Sequence, residues 1–386
     1  MSYIFKRDGK YGYTVSLGID PVTGKQIQKS KRNFTTRKEA VSAARKLEAE
    51  IENGTYIEET KMTFKAFTQE WIKVYAQNAK ISSVRARSKE MNHFISVWGN
   101  FQLKKITKRI YQKRILELSE KYSQNYMSGI HACGRMIFNH AIELGLIKLN
   151  PTENVRLPKY QAKIEEIENQ ADEIKFLEKE ELAKFLRLTD SDGLEMDSLV
   201  FTTLAYTGLR IGELLALKWT DFDEERGSLR VTKTLYNPSN NIKEYQLLTP
   251  KTTGSIRTIR IDEKLIRMLK RHEIKQKEIK LQKGSVYTDN QFIFARDDGH
   301  PQLRKVVETR LKRLLKKAGI KKNITPHSFR HTHTSLLIEA GVGVKEIQQR
   351  LGHTDINTTM NIYAHMTANM EEKASQQFSQ LMKDLL

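Results

Sequence analysis

Four residues near the end of the sequence have types and spacing that could bind and attack a phosphate group. His327 and Arg330 stand three residues apart at the start of a predicted helix, so their side chains lean onto one face. His353 follows a Leu-Gly pair, and Tyr363 follows in a short helical segment. A guanidinium with further donors suits a phosphate, and a phenol beside them is a candidate nucleophile. The stretch 325–366 therefore predicts a phosphate-binding site.

The start of this helix favours an anion as well. Thr325 is expected to be the N-cap, with Pro326 at the first helical position, where the missing N–H of proline costs nothing. His327 and Arg330 would then lie near the positive end of the helix dipole.

Two earlier segments carry further groups that suit a phosphate. Arg210 follows a Gly-Leu pair, and Glu213 stands three residues later, where its carboxylate could hold the guanidinium. Lys251 follows a Thr-Pro pair and is expected at the tip or shoulder of a β-hairpin, where a mobile ammonium could reach a ligand. Taken singly, Tyr363 could be a core residue, Arg210 a surface charge and Lys251 a turn lysine. Their occurrence together favours the chemical interpretation.

This set resembles the tyrosine recombinase family, specifically the integrases of phages and of integrative conjugative elements. The resemblance rests on five motifs in the family's order, which are Thr207-Gly208-Leu209-Arg210, Thr249-Pro250-Lys251, His327-Ser328-Phe329-Arg330-His331, Leu351-Gly352-His353 and Tyr363. It implies a site-specific DNA recombinase that performs the integration or excision reaction of a mobile element.

The resemblance assigns the nucleophile and the phosphate clamp. Tyr363 would attack the scissile phosphate and leave a 3′-phosphotyrosyl bond with a free 5′-hydroxyl. Because a free phenol has a pKa of about 10, nearby cations must favour the phenolate. Arg210 and Arg330 would clamp the non-bridging oxygens and neutralise the charge of the transition state.

The resemblance also assigns the proton donors. Lys251 is the expected general acid for the 5′-oxygen, His327 would act in proton transfer, and His353 would donate to the phosphate. Glu213 and His331 would support them. No metal, ATP or other cofactor is expected, because the cations are part of the chain and the phosphotyrosyl bond keeps the energy of the broken phosphodiester.

The charge balance of the sequence points to a polyanionic partner. Lysine and arginine number 66 against 46 aspartate and glutamate residues, which gives a formal net charge of +20. Nucleic acid is favoured over an anionic membrane or an acidic protein, and no lipid-anchoring or membrane-spanning pattern occurs. The lone Cys133 lies in an apolar stretch and is expected to be core filler, which fits an intracellular protein. The resemblance implies the bacterial cytoplasm, in association with the nucleoid.

Other chemical motifs fail in this sequence. The segment from Gly18 to Lys25 has one residue too many for a phosphate loop, and Gln26 stands where serine or threonine should bind magnesium. The histidines lack cysteine partners and fit no usual zinc spacing, so no metal site is predicted. Two alternatives stay open, a type IB topoisomerase-like enzyme and a non-catalytic DNA-binding regulator, since residues 344–363 could pass for a helix-turn-helix.

The expected fold class is multidomain and tyrosine recombinase-like. Residues 1–57 predict a small β-sheet plus one helix, as an arm-type DNA-binding domain, and 62–157 predict an all-α core-binding bundle. After a linker at 158–175, residues 176–370 predict a mainly α catalytic domain with a small β-sheet, whose strand-like pieces are Ser228 to Thr234, Ser255 to Ile261 and Gln291 to Ala295. Residues 371–386 predict an amphipathic helix that is exchanged between protomers or packs on its own domain.

Double-stranded DNA attachment sites are the expected partner, bound by a homo-tetramer on synapsed DNA, and a directionality factor or host DNA-bending protein is a further candidate partner. Basic residues of the two N-terminal domains are candidate DNA contacts, although solvated faces would look the same. They are Lys25, Lys29, Lys31, Arg32, Arg85, Arg87, Lys104 and Lys105.

Overall fold

The chain folds into two compact units, residues 1–163 and 164–386, and each is described by itself. The structure is a computed structural model that describes residues 2–19, 23–53, 56, 61–158, 176–250, 255–352, 355–357, 360, 378–379 and 382–383. The expected linker at 158–175, apart from its first residue, and nearly all of the expected C-terminal helix lie outside these ranges. None of the helices within them combines the length and apolar character needed to cross a bilayer.

The first unit begins with a three-stranded antiparallel sheet in the order β1-β2-β3, covered on one face by a helix. Tyr13 and Val15 alternate along the central strand and are buried against Ala44 and Leu47 of the helix. The elements are β1 (Ser2–Arg7), β2 (Lys10–Ile19), β3 (Gln26–Phe34) and α1 (Arg37–Glu52).

Among the described residues of the first unit, four further α-helices follow, α2 (Phe64–Asn78), α3 (Ile81–Trp98), α4 (Lys108–Ser119) and α5 (Gln124–Glu143). Their apolar faces meet in an aromatic core that includes Phe94, Trp98 and Tyr111. Cys133 is buried in this core, and burial raises the pKa of its thiol to about 12, so the expected role as core filler is confirmed.

The second unit is mainly helical. Its helices are α6 (Lys179–Asp192), α7 (Asp197–Thr207), α8 (Ile211–Leu215), α9 (Glu263–Lys283), α10 (Arg304–Lys317), α11 (Ser328–Glu339) and α12 (Val344–Leu351). Helices α7 and α11 pack together at its centre, where Phe201 and Phe329 stack with ring centroids 5.6 Å apart. The core of this unit therefore fixes the helix that carries Arg330.

Two small antiparallel sheets flank these helices, where a single sheet was expected. One has the order β4-β5-β8, with β4 (Phe222–Asp223), β5 (Ser228–Val231) and β8 (Arg257–Arg260), and the other pairs β6 (Thr234–Tyr236) with β7 (Gln246–Leu248). Two of the expected strands thus exist in shortened form.

The expected strand from Gln291 to Ala295 is wrong. Phe292, Ile293 and Phe294 are buried as a strand would require, but only isolated bridges form at the two ends of the run. Gln291 takes a left-handed φ of 59°, and the backbone bonds instead to the loop before β4, with Ile293 N–H donating to the Leu217 carbonyl at 2.9 Å. A short apolar run marks burial and does not by itself distinguish a strand from a buried turn.

Candidate active site

The corner between α7 and α8 positions Arg210. Helix α7 ends at Gly208, whose φ of 63° is the left-handed conformation that glycine adopts without a steric cost. A Cβ at this glycine would lie 2.7 Å from Leu351 Cδ2 and 2.8 Å from His333 Cδ2. The missing side chain therefore lets the corner approach α11 and α12 closely, and Arg210 follows two residues later.

Glu213 lies between two arginines. Arg210 Nη1 donates to Glu213 Oε1 at 2.7 Å, as the sequence predicted, and Arg257 Nη2 donates to Glu213 Oε2 at 2.9 Å. Burial raises the pKa of Glu213, but the hydrogen bond and charge of Arg257, followed by the charge of Arg210, outweigh it, so the pKa lies below its usual range. The carboxylate therefore stays ionised and holds both guanidinium groups.

Arg330 is buried to 1% exposure at the first turn of α11. Its Nη1 donates to the Gly208 carbonyl at 2.9 Å and its Nη2 to the Leu351 carbonyl at 2.8 Å. Both acceptors stand at helix C-termini, where carbonyl groups lack helical partners and the dipole favours a cation. Burial and then the charge of Arg210 lower the pKa of Arg330 to about 9, which still leaves it protonated at neutral pH. Arg330 is thus tied to the corner that carries Arg210, close enough for the charge of Arg210 to affect it.

The two histidines expected beside Arg330 meet at the start of α11. The His327 and His331 rings pack edge to face with centroids 5.0 Å apart. Although the His327 side chain is open to solvent on one side, desolvation of its ring, followed by repulsion from His331, Arg330 and Arg210, lowers its pKa to about 4. Desolvation and Arg330 also lower the pKa of His331. His327 is therefore neutral near pH 7 and can accept a proton.

The expected N-cap of this helix is wrong by two residues. The helix begins at Ser328 with His327 as its N-cap, and Thr325 instead starts a turn, in which Ser328 N–H donates to the Thr325 carbonyl at 2.9 Å. The Ser328 hydroxyl accepts from Thr325 N–H at 3.1 Å, which stabilises that turn. His327 and Arg330 still lie at the N-terminal end of the helix, as expected.

The sequence analysis did not identify Arg257 and Arg350, which the structure places around the site together with His333. Arg257 opens β8 and binds Glu213, while Arg350 in α12 donates from Nε to His333 Nε2 at 3.0 Å and from Nη2 to the Tyr206 carbonyl at 3.1 Å. His333 Nδ1 bonds to the Ala205 carbonyl at 2.8 Å, which assigns the proton to Nδ1 and leaves Nε2 to accept from Arg350. These residues tie α11 and α12 to α7.

This buried histidine predicts a loss of stability in mild acid. Burial and then Arg350 lower the pKa of His333 from 6.5 to about 4. Between these two pH values, His333 is protonated in the unfolded chain and neutral in the folded chain. Stability is therefore lost as the pH falls from 6.5 towards 4. Between about pH 7.5 and pH 5, His333 alone should remove about 2 kcal/mol of unfolding free energy.

Urea unfolding of the intact chain, followed by circular dichroism at both pH values, measures this loss. Replacing His333 with glutamine, which does not titrate, should reduce the pH dependence by that amount relative to the unaltered chain. An unchanged dependence in His333→Gln would assign the acid sensitivity to other groups.

Three of the predicted catalytic residues, Lys251, His353 and Tyr363, lie outside the described ranges, so their roles stay predictions. The antiparallel pairing expected around Lys251 is present, because β5 and β8, the shortened forms of the expected strands on either side of it, pair with each other. The connection between them is longer than a simple turn, since it also contains the separate pair of β6 and β7, and Lys251 follows β7. Within the described ranges, no cluster of histidine, cysteine, aspartate or glutamate residues could hold a metal ion.

The candidate DNA contacts divide by environment. Lys25, Lys31 and Arg32 are exposed on or next to β3, and Lys104 and Lys105 are exposed in the turn that precedes α4. Lys29 lies over the Tyr56 ring at 5.2 Å, and Arg85 is half-buried on α3.

Arg87 differs from the other seven residues. It forms an ion pair with Glu90, and its Nη1 donates to the Gly129 carbonyl of α5 at 3.0 Å. These bonds join α3 to α5 and favour a role inside the helical bundle.

Sequence comparison finds known families along most of the chain. A profile of the Phage integrase family matches residues 175–370, a profile of the Arm DNA-binding domain matches residues 1–51, and a profile of the phage integrase N-terminal SAM-like domain matches residues 63–119. The ICEBs1 integrase of Bacillus subtilis (strain 168) is 30% identical over 390 residues, which cover 97% of this chain and 98% of that protein. The integrase of a Staphylococcus phage is 29% identical and covers 87% and 98%.

Solved structures share the fold at low sequence identity. The integrase of the transposon Tn1549, in complex with transposon right-end DNA, superposes with a TM-score of 0.63 at 22% identity, over 81% of this chain and 100% of that one. A lambda integrase tetramer bound to a Holliday junction gives a TM-score of 0.56 at 18% identity, over 94% of each chain. The expected multidomain architecture of small sheet, helical core domain and mainly helical catalytic domain is confirmed.

Proposed function

This chain belongs to the phage integrase family of tyrosine recombinases, and from that premise we propose that it cuts and rejoins DNA at specific sites of a mobile element through Tyr363. Its domains would be an arm-type DNA-binding domain at 1–57, a core-binding domain at 62–157, a linker at 158–175, a catalytic domain at 176–370 and a C-terminal helix at 371–386.

The observation that carries the proposal is the arginine pair at the corner after α7. Arg330 bonds to the carbonyl of Gly208, two residues before Arg210, and Glu213 holds the Arg210 guanidinium at the same corner. Two fixed cations suit the two non-bridging oxygens of one phosphodiester and stabilise the charge that develops on them.

The proposed reaction combines transfer of the phosphoryl group to Tyr363 with two proton transfers. The Tyr363 oxygen bonds to phosphorus as the bond from phosphorus to the 5′-oxygen breaks, and Lys251 gives that oxygen a proton. His327, neutral because its pKa is lowered, accepts the phenolic proton, and a bound phosphate beside it would raise that pKa and strengthen it as a base. His353 donates to the phosphate. Glu213 and His331 support this set.

The cleaved state conserves the energy of the phosphodiester in the phosphotyrosyl bond. The 5′-hydroxyl of another strand can therefore reverse the reaction, which needs neither ATP nor a metal because fixed arginines neutralise the phosphate. We further propose a homo-tetramer on synapsed DNA, assisted by a directionality factor or a host DNA-bending protein. The protein would act in the bacterial cytoplasm, at the nucleoid.

A nicked suicide DNA that carries the attachment site tests this function. Cleavage releases a short fragment that diffuses away, so a covalent protein–DNA adduct should accumulate on a denaturing gel, with the same yield in excess EDTA. Plasmids with paired sites should yield recombined products. Relaxed plasmid without recombination would identify a type IB topoisomerase-like enzyme, and site-specific binding without any adduct would identify a non-catalytic regulator.

A further inference from the structure

We propose that Arg257 is a positioning residue for Lys251, because it ties the end of the segment that carries Lys251 to the chain that leads to His353 and Tyr363. The inference rests on the proposed function, because it assigns a role through those residues. Arg257 acts through Glu213, β8 and the end of α12.

Arg257 joins the phosphate clamp to β8. Its Nη2 donates to Glu213 Oε2 at 2.9 Å and its Nη1 lies 3.4 Å from Glu213 Oε1, while the same carboxylate holds Arg210. The Arg257 side chain is 6% exposed, and so is that of Glu213. A buried ion pair of this kind fixes geometry, since removal of one partner leaves the other charged and uncompensated.

The remaining donors of Arg257 reach both chain segments at the points where they leave the described structure. Nη1 donates to the Ser255 carbonyl at 3.2 Å, and Ser255 is the first described residue after Lys251. Nε donates to the Arg350 carbonyl at 2.8 Å, two residues before Gly352, the last described residue before His353. One guanidinium therefore anchors the exit of one segment and the entrance of the other.

The packing at Gly352 shows how tight this junction is. Gly352 has a φ of 68°, and a Cβ there would lie 3.2 Å from Arg257 Cδ and 3.4 Å from the Ser255 Cα. The chain that leads to His353 thus passes directly over Arg257 and over the residue that follows the lysine segment. A shift of either segment must move the guanidinium, and with it Glu213 and Arg210.

Lysine cannot replace this arginine. The guanidinium offers five N–H donors in a rigid plane, and the described bonds use three nitrogen atoms towards three separate groups. An ammonium at the end of a flexible stem keeps the charge beside Glu213 but cannot hold the two carbonyl groups as well. Arg257→Lys therefore keeps the ion pair and removes the coupling.

The test compares two nicked suicide substrates, one with the natural 5′-oxygen and one with a 5′-bridging sulfur, which leaves without an acid. In the unaltered chain both should cleave, and Lys251→Ala should be slow on oxygen and recover on sulfur. These two results establish the proposed function independently of Arg257. Arg257→Lys should then cleave the oxygen substrate about 100-fold more slowly, the loss typical of a catalytic group displaced by about 1 Å, and should recover on sulfur.

Arg260→Lys is the matched control, because it makes the same change on the exposed face of β8, three residues later. Its ratio of sulfur to oxygen cleavage rates should equal that of the unaltered chain. If Arg257→Lys folds and slows both substrates equally, Arg257 supports the fold without positioning Lys251, and the proposal is wrong. Should Arg257→Lys fail to fold, Glu213→Gln, which removes the charge that Arg257 binds, takes its place. Because that change also loosens Arg210, its ratio of sulfur to oxygen cleavage rates is compared with that of Arg210→Lys. A higher ratio is expected, and a ratio equal to that of Arg210→Lys contradicts the coupling.

Discussion

Replacing Tyr363 with phenylalanine should abolish the covalent protein–DNA adduct and leave binding to the attachment site unchanged. Phenylalanine keeps the aromatic ring and removes only the oxygen that would bond to phosphorus. Loss of an enzyme nucleophile lowers the rate by about 10⁶-fold, which is far below detection on a suicide substrate. Gel shifts on the cognate duplex and adduct formation on the nicked substrate measure the two properties in the same samples.

Tyr287→Phe is the matched control. Burial, followed by the nearby carboxylates of Asp289, Asp298 and Asp297, raises the pKa of Tyr287, so its phenol resists ionisation and makes a poor nucleophile. Adduct formation in this variant should match that of the unaltered chain. A Tyr363→Phe protein that still forms the adduct would require another nucleophile, and the assignment of Tyr363 would be abandoned.

Local signals in the sequence were sufficient to predict many of the helices and strands. Thr36 caps α1 and Glu39 completes the capping box as the sequence indicates, because both partners lie within one turn. The apolar period of α5 and the buried alternation of β2 are local in the same way. Where the pattern was ambiguous, as for the buried run around Ile293, the outcome depended on backbone partners in the loop before β4 that no short window contains.

The candidate site shows the same division. The pair of Arg210 and Glu213 could be predicted because three residues separate them in one turn. The bond from Arg257 to Glu213 spans 44 residues, and the bonds of Arg330 reach carbonyl groups 122 and 21 residues away. Such contacts are products of the tertiary fold. The residue types in the sequence do not indicate which carbonyl group will accept a hydrogen bond from a given arginine.

One signal for Arg257 was nonetheless present in the sequence. Side chains alternate between the faces of a strand, so Arg257 shares a face with Ile259, and Ile259 is buried. An arginine at an inward position of a strand is rare unless it is paired. Applied to β8, this rule would have marked Arg257 and predicted a buried acid opposite it, which is Glu213.

Replacing Arg330 or Arg210 with lysine should have different effects on stability, because only Arg330 also supports the fold. Arg330 is buried and satisfies the terminal carbonyl groups of α7 and α12, whereas the Arg210 side chain is 40% exposed and bonds to Glu213. An ammonium in place of Arg330 can reach one carbonyl and leaves the other buried without a donor. Arg330→Lys should therefore cost about 2 kcal/mol of stability.

Arg210→Lys should cost well under 1 kcal/mol, since the lysine keeps a charge near Glu213 and solvent screens the exposed pair. Both variants should slow cleavage of the suicide substrate by about 100- to 1,000-fold, because each loses a bidentate donor to the phosphate. Hydrogen exchange of peptides from α11, measured at one pH, reports the difference in stability, and adduct formation reports the shared loss of catalysis.

The comparison of Arg330→Lys with Arg210→Lys distinguishes a phosphate-binding role of Arg330 from a purely structural role. If Arg330 only held α7 and α12 together, Arg330→Lys would lose stability while the folded fraction cleaved at the normal rate once saturating DNA restored the fold. If it also grips the phosphate, cleavage stays slow at saturating DNA, as it does in Arg210→Lys. The second result is expected, because a cation buried at two helix ends has its position fixed before the substrate arrives, and a donor fixed in advance contributes most in the transition state.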